Sequence, residues 1–101
     1  MDKFSINSFD NFFKAVLTLK SLDEAHKFFE DVCTVKEMLD ISQRLKAAKM
    51  LASGAVYADI SAETGMSTAT ISRVSKCLEY GAGGYRAVLE RRKATSAESN
   101  E

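Results

Sequence analysis

Residues 57–78 read YADISAETGMSTATISRVSKCL, a segment whose spacing is typical of two short helices joined by a tight turn. Gly65 stands where the first helix must stop and reverse, in a left-handed backbone conformation that only Gly adopts at little cost. Met66 follows as an apolar residue to pack beneath the turn. The hydroxyl of Ser67 is placed to cap the second helix. This pattern predicts a helix-turn-helix.

The second helix of this segment has two faces of opposite character. At about 100° per residue, Ile71, Val74 and Leu78 fall on one side and can pack against the first helix. A small, polar and basic face lies opposite, as a helix that enters the major groove of DNA requires. An ordinary helical hairpin with a solvated outer face is the alternative. The residues predicted to point outward are Ala69, Ser72, Arg73 and Lys76.

Candidate DNA contacts lie on this helix and on the segments before it. Lys46 and Lys49 would contact phosphates, although a plain solvated face is equally compatible with their positions. Tyr57 either donates to a phosphate or covers the core. Arg73 has three alternatives, namely a base contact, a ligand contact and a phosphate or solvent contact. The full candidate set is Ser67, Thr68, Ala69, Thr70, Ser72, Arg73, Lys76, Lys46, Lys49 and Tyr57.

The composition favours one small all-helical domain. The chain has 101 residues, no Pro and five Gly, and the Gly fall at predicted helix boundaries. No apolar run approaches the ~20 residues that span a bilayer, and the N-terminus lacks the features of a secretory signal. Cys33 and Cys77 have no metal-binding spacing, so we expect reduced thiols in a cytoplasmic protein. We expect one domain over residues 1–93 and a polar, disordered tail over residues 94–101.

Charge is distributed unevenly along a chain whose formal net charge is zero. Residues 1–40 hold five Lys against eight Asp and Glu, a net charge of −3. Residues 41–93 hold nine Lys and Arg against four acids, a net charge of +5. The predicted helix-turn-helix therefore lies in the basic part, which favours binding to phosphates.

About six helices follow from the apolar periodicity and the capping residues. The first is predicted over residues 8–19. Ser21 with Glu24 and Thr34 with Glu37 form capping-box patterns that open the second and third helices. The third is predicted to end near Ser53, before Gly54, and the last to follow the glycines at positions 81, 83 and 84.

Every Phe of the chain lies in its first third. Helices as short as those predicted there bury little surface on their own. Such a concentration of aromatic residues favours a core shared with a second subunit, with a monomeric core as the alternative. The six are Phe4, Phe9, Phe12, Phe13, Phe28 and Phe29.

Catalytic patterns are missing from the sequence. The single His26 has no nucleophile arranged around it, and there is no phosphate-binding Gly-rich loop, HExxH or motif of paired carboxylates. We therefore do not expect an enzyme. A helical protein-interaction module that binds no DNA remains the alternative to a DNA-binding protein.

Two segments resemble a known family. The run ATISRVSKCL over residues 69–78 is similar to the tryptophan repressor family. The run FFEDVCTVKEMLDISQRLKAAKMLASGAVYADISAETG over residues 28–65 resembles, more closely, the YerC/YecD branch of that superfamily. The resemblance covers roughly residues 8–92. It implies a bacterial transcriptional repressor, an intertwined homodimer, and binding of a palindromic DNA operator by the helix over residues 67–78.

The resemblance also implies a small-molecule corepressor pocket. In the tryptophan-sensing members two Arg sandwich the ligand, and Arg44 and Arg73 match them. Thr34 matches a pocket residue, and Cys77 stands in place of a Ser that binds the polar end of the ligand. Val74 replaces a Gly and would take up room in the pocket. We therefore expect an effector other than tryptophan, or none.

Overall fold

The protein is all-α, with six helices and no strand among the residues described. The computed structural model describes the backbone of residues 6–99 and the side chains of residues 8–95. The helices are α1 (Ile6–Val16), α2 (Leu22–Val32), α3 (Val35–Ala52), α4 (Tyr57–Thr64), α5 (Thr68–Tyr80) and α6 (Gly84–Ser99). The predicted fold class and helix order are confirmed. The chain divides into two compact units, with the boundary between Met38 and Leu39.

Aromatic rings join α1 to α2 in the N-terminal unit. The ring of Phe12 stacks on Phe28 at a centroid distance of 6.0 Å, and it meets Phe29 edge-on at 6.3 Å. Aromatic pairs at such distances are favourable beyond the area that they bury. Even so, no side chain among residues 8–38 is fully buried. The aromatic contacts therefore do not amount to a closed core.

Capping interactions explain where α2 begins. Ser21 is the N-cap of α2, and its hydroxyl accepts a hydrogen bond from the Glu24 N–H at 3.1 Å. The Glu24 carboxylate accepts from the Lys20 N–H at 2.9 Å. In a capping box this second bond would come from the N-cap residue itself, so the return bond is shifted by one residue toward the N-terminus.

A complete capping box opens the long helix α3. The Thr34 hydroxyl accepts from the Glu37 N–H at 3.1 Å, and the Glu37 carboxylate accepts from the Thr34 N–H at 2.8 Å. These hydrogen bonds favour the ionised form and hold the pKa of Glu37 below its ordinary value. The predicted capping role of both residues is confirmed.

The end of α3 is set by Gly54. The Ala55 N–H bonds to the Met50 carbonyl and the Gly54 N–H to the Leu51 carbonyl, both at 3.0 Å, which is the paired pattern of a Schellman motif. Gly54 has φ of +90°, a left-handed conformation that residues with a side chain rarely adopt. The chain can therefore leave α3 and turn directly into α4.

The core lies in the C-terminal unit and is built by three helices and the turn between α4 and α5. Ile60 and Ile71 are fully buried, and Ala47 and Ala48 give a surface on α3 that larger side chains can approach. Tyr85 and Leu89 of α6 pack against this cluster. The cluster itself comprises Ala47, Ala48, Ile60, Met66, Ile71 and Val74.

The ends of α1 and α6 differ from those predicted by three or more residues. Helix α1 ends at Val16, earlier than expected, because the Thr18 N–H and hydroxyl both bond back to the Ala15 carbonyl and tighten the chain into a turn. Helix α6 continues to Ser99, through most of the segment predicted to be a disordered tail. The remainder of that tail and Phe4 lie outside the described residues. The prediction of a single domain over residues 1–93 stays a prediction.

Within the described residues, no helix combines the length and the apolar character needed to cross a membrane.

The capping box of α3 predicts a pH-dependent contribution to stability. The ordinary pKa of Glu37 is 4.5, and its folded pKa is lower. The ionised carboxylate therefore stabilises the fold above the unfolded pKa, and this contribution is lost as the pH falls through the folded pKa. We expect Glu37→Gln to be less stable than wild type at neutral pH, with the difference closing at lower pH. Urea unfolding across this range measures it.

The exposed Glu90→Gln variant is the control for the loss of one negative charge. A difference between Glu37→Gln and wild type that stays constant as the pH falls would contradict the proposed role of the carboxylate.

Candidate nucleic-acid interface

The turn between α4 and α5 is fixed by its backbone conformation. Gly65 has φ of +74° and its N–H bonds to the Ser61 carbonyl at 2.8 Å, which closes the last turn of α4. Met66 is buried beneath the turn, as predicted. A Cβ at Gly65 would have open space, so the requirement for Gly comes from the left-handed conformation and not from crowding.

Two hydroxyl groups satisfy the polar backbone of this turn. The buried Thr64 hydroxyl donates to the Ile60 carbonyl at 2.7 Å and accepts from the Met66 N–H at 3.1 Å. The Ser61 hydroxyl donates to the Met66 carbonyl at 2.8 Å. A buried N–H or carbonyl without a partner is costly. The hydroxyls of Thr64 and Ser61 therefore allow Met66 to be buried. The buried Met66 in turn fixes the spacing between α4 and α5.

Ser67 is the N-cap of α5, as predicted. Its hydroxyl accepts from the Thr70 N–H at 3.2 Å and lies 3.0 Å from the Thr70 hydroxyl. Ser67, Thr68 and Ala69 are exposed, whereas Thr70 is half-buried. The first turn of α5 thus presents small side chains to solvent, two of them with hydroxyl groups, which suits an approach to phosphate or to base edges.

The two faces of α5 separate as the sequence predicts. Ile71, Val74 and Leu78 are buried. On the opposite side Arg73 and Lys76 are exposed, and Ser72 is half-buried. The apolar side of α5 is therefore buried in the core. The basic side is exposed and accessible to a ligand.

Arg86 of α6 anchors the end of α5. Its Nε donates to the Leu78 carbonyl at 3.2 Å, and its Nη2 lies 3.4 Å from the Glu79 carboxylate. A cation at the C-terminus of a helix also suits the helix dipole. The contacts of Arg86 hold α5 to α6.

The candidate contacts outside α5 have different surroundings. The Lys46 ammonium of α3 lies 3.3 Å from the Glu63 carboxylate of α4, and both side chains are about half exposed, at 51% and 57%. Lys49 is exposed, and Tyr57 at the start of α4 is 37% exposed. Lys46 would have to exchange Glu63 for a phosphate, so Lys49 is the better placed of the two lysines.

The residues matched to a corepressor pocket are distributed between the two units. Thr34 belongs to the N-terminal unit, where its hydroxyl caps α3. Arg44, Arg73 and Cys77 belong to the C-terminal unit, and all three are exposed. The structure adds Tyr85 to this region. Burial raises the pKa of its phenol, the Cys77 side chain raises the pKa further, and the charge of Arg44 lowers it.

Among the described residues, no group of three or more His, Cys, Asp or Glu side chains is arranged to hold a metal ion.

Sequence reasoning missed Thr64 and the role of Tyr85. A Thr directly before the turn Gly can bond to the N–H two residues ahead, so a search for such hydroxyl turns would have found Thr64. Nothing local in the sequence shows that the Tyr85 ring packs against the core cluster.

Comparisons with known proteins all point to one family. The model of the Trp repressor protein family matches residues 7–93. The uncharacterized protein YerC of Bacillus subtilis is 46% identical over 99% of this chain and 96% of its own length. The crystal structure of a TrpR-like protein from Eubacterium eligens aligns with a TM-score of 0.85 at 52% identity, covering 90% of this chain and 94% of that one. A crystal structure from Staphylococcus aureus aligns with a TM-score of 0.84 at 45% identity, covering 90% of this chain and 91% of that one.

Removal of the Thr64 hydroxyl tests how the turn is held. We expect Thr64→Val to lower the free energy of unfolding by about 1–3 kcal/mol, because the buried Met66 N–H loses its partner while the volume is kept. Thr64→Ser keeps the hydroxyl and is expected to lose less. Urea unfolding of the three proteins measures this. Equal stability of Thr64→Val and wild type would show that this hydrogen bond does not hold the turn.

Proposed function

This chain belongs to the Trp repressor superfamily, in its YerC branch, and we propose that it is a sequence-specific DNA-binding regulator that represses transcription as a homodimer. The observation that carries the proposal is the exposed basic face of α5, presented by a turn whose geometry is fixed by Gly65 and Thr64. Membership of a regulator family supports a binding function over catalysis.

The proposed DNA contacts divide into two kinds. Arg73, Lys76 and the small residues at the start of α5 would reach base edges in the major groove. Lys49, Lys46 and Tyr57 would contact phosphates and set the register of the protein on the duplex. The net positive charge of residues 41–93 favours the approach of this part of the chain to DNA.

Exposed apolar side chains of the N-terminal unit support the homodimer. Leu17, Leu22 and Val35 are 82%, 76% and 85% exposed, and Phe9 and Phe13 are at least half exposed. Soluble monomers rarely leave so many large apolar side chains in water. A second copy of the chain would cover them and would provide the buried core that residues 8–38 lack in the single chain.

The symmetry of a two-fold dimer determines the arrangement of the half-sites in its DNA site. Two recognition helices related by a two-fold axis read two half-sites about one helical turn apart, so the operator would be roughly palindromic. Occupation of such a site near a promoter would hinder transcription. We place this activity in the cytoplasm of a bacterium, in keeping with the bacterial relatives.

Selection of bound fragments from sheared genomic DNA, at a low and a high salt concentration, tests the proposed function. Enrichment of a two-fold motif, with affinity that falls steeply as salt rises, is the expected result. No enrichment at either salt concentration, from protein shown to be folded and dimeric, would overturn it in favour of a protein-interaction module.

The role of Arg73 can be read from its effect on sequence preference. If its guanidinium pairs with a base, Arg73→Ala should lose about 1–3 kcal/mol on the selected fragment and much less on unrelated duplex. Fluorescence anisotropy with both duplexes measures this, and Arg91→Ala, which removes an exposed charge on α6, is the control. An equal loss on both duplexes would indicate a phosphate contact, and no loss on either would remove Arg73 from the interface.

Charged substitutions at exposed apolar positions test the dimer. We expect the double variant Leu22→Glu/Val35→Glu to shift from dimer toward monomer in sedimentation equilibrium, where the chain mass is 11.1 kDa. Both positions begin a helix, where an acid is tolerated, so the single chain has little reason to unfold. Asn11→Glu, an exposed polar position of α1, is the control. An unchanged dimer would exclude these side chains from the interface.

A further inference from the structure

Tyr85 packs from α6 against the core that joins the long helix α3 to the recognition helix α5. Its ring contacts the cluster that contains Ala47 and Ala48 of α3 and Ile71 and Val74 of α5. The side chain is half-buried. The Tyr85 side chain of α6 thus packs against a cluster to which both α3 and α5 contribute.

The Tyr85 phenol is influenced by residues of the same two helices. Burial raises its pKa, the Cys77 side chain of α5 raises the pKa further, and the charge of Arg44 of α3 lowers it. Arg44 and Cys77 are two of the residues that were candidates for binding a small molecule.

Tyr85 and its neighbour Arg86 act on the same part of α5. Arg86 bonds to the Leu78 carbonyl and approaches Glu79, at the C-terminal end of that helix. Val74, one turn before Leu78, is 4% exposed and belongs to the cluster on which Tyr85 packs. The first turn of α6 therefore bonds to the C-terminal end of α5 through Arg86, and its Tyr85 packs on the cluster to which Val74 of α5 belongs.

We propose that Tyr85 is a built-in positioning residue that fixes α5 against α3 in place of a bound small molecule, so that DNA binding requires no effector. The inference rests on the proposed DNA-binding function. A ligand that orders a recognition helix reduces the cost of ordering it on DNA, and a side chain held by the fold does so permanently.

Two changes test this role: removal of the Tyr85 ring by substitution, and addition of a small molecule that carries the same ring. The affinity of wild type, Tyr85→Ala, Tyr85→Phe and Tyr80→Ala for the selected fragment is measured with and without p-cresol, which is the tyrosine side chain as a separate compound. Tyr80→Ala is a matched control, because Tyr80 is 87% exposed at the end of α5. Circular dichroism verifies that each variant is folded at the temperature used.

We expect Tyr85→Ala to bind DNA about tenfold or more weakly, a loss typical of coupling between sites. We expect Tyr85→Phe and Tyr80→Ala to stay close to wild type. Because the alanine variant uncovers the part of the apolar cluster on which the ring packs, p-cresol should restore its affinity without changing that of wild type. A folded Tyr85→Ala that binds as tightly as wild type, or one that p-cresol does not restore, would overturn the role of Tyr85.

A second arm uses wild-type protein alone and remains informative even if Tyr85→Ala does not fold. The protein is denatured, freed of small molecules by dialysis and refolded, and its affinity for the fragment is compared with that of untreated protein. Equal affinities are expected. Recovery of binding only after a small-molecule extract of cells is added would overturn effector independence while leaving DNA binding intact. Failure of untreated protein to bind any duplex would overturn the proposed function itself.

Discussion

The left-handed turn at Gly65 is the constraint on which the rest of the C-terminal unit depends. It brings the end of α4 and the start of α5 together over the buried Met66. The backbone groups at this point can be buried only because the Thr64 and Ser61 hydroxyls bond to them. With the turn fixed, Ile60 and Ile71 meet in the core, and the direction in which α5 presents Arg73 and Lys76 follows from that contact.

The two units of the chain differ in what they can bury. The C-terminal unit has fully buried side chains on α3, α4 and α5, so its core is complete within one chain. In the N-terminal unit the aromatic rings of α1 and α2 pair with one another, yet no described side chain is fully buried. Burial of apolar surface is the main favourable term in folding. A second copy of the chain is the partner that we propose for this unit, and the two-fold symmetry of the DNA site follows from the same proposal.

Local signals in the sequence were sufficient to predict most of the fold. Gly65 with Ser67, and Thr34 with Glu37, act through neighbours four or fewer residues away, so their roles could be predicted. The end of α1 was misplaced because the Thr18 hydroxyl competes with the helix for a backbone carbonyl. The ion pair of Lys46 with Glu63 and the packing of Tyr85 join residues that are distant in sequence. Such contacts depend on how helices pack, which apolar periodicity does not specify.

The spacing of DNA half-sites offers the most direct test of a dimeric, sequence-specific regulator. The affinity of wild type for the selected operator would be compared with its affinity for the same operator after about half a helical turn, roughly five base pairs, is inserted at its centre. Because the two recognition helices could no longer meet both half-sites, a loss of about a hundredfold is predicted. Equal affinity for the two duplexes would contradict binding by a two-fold dimer.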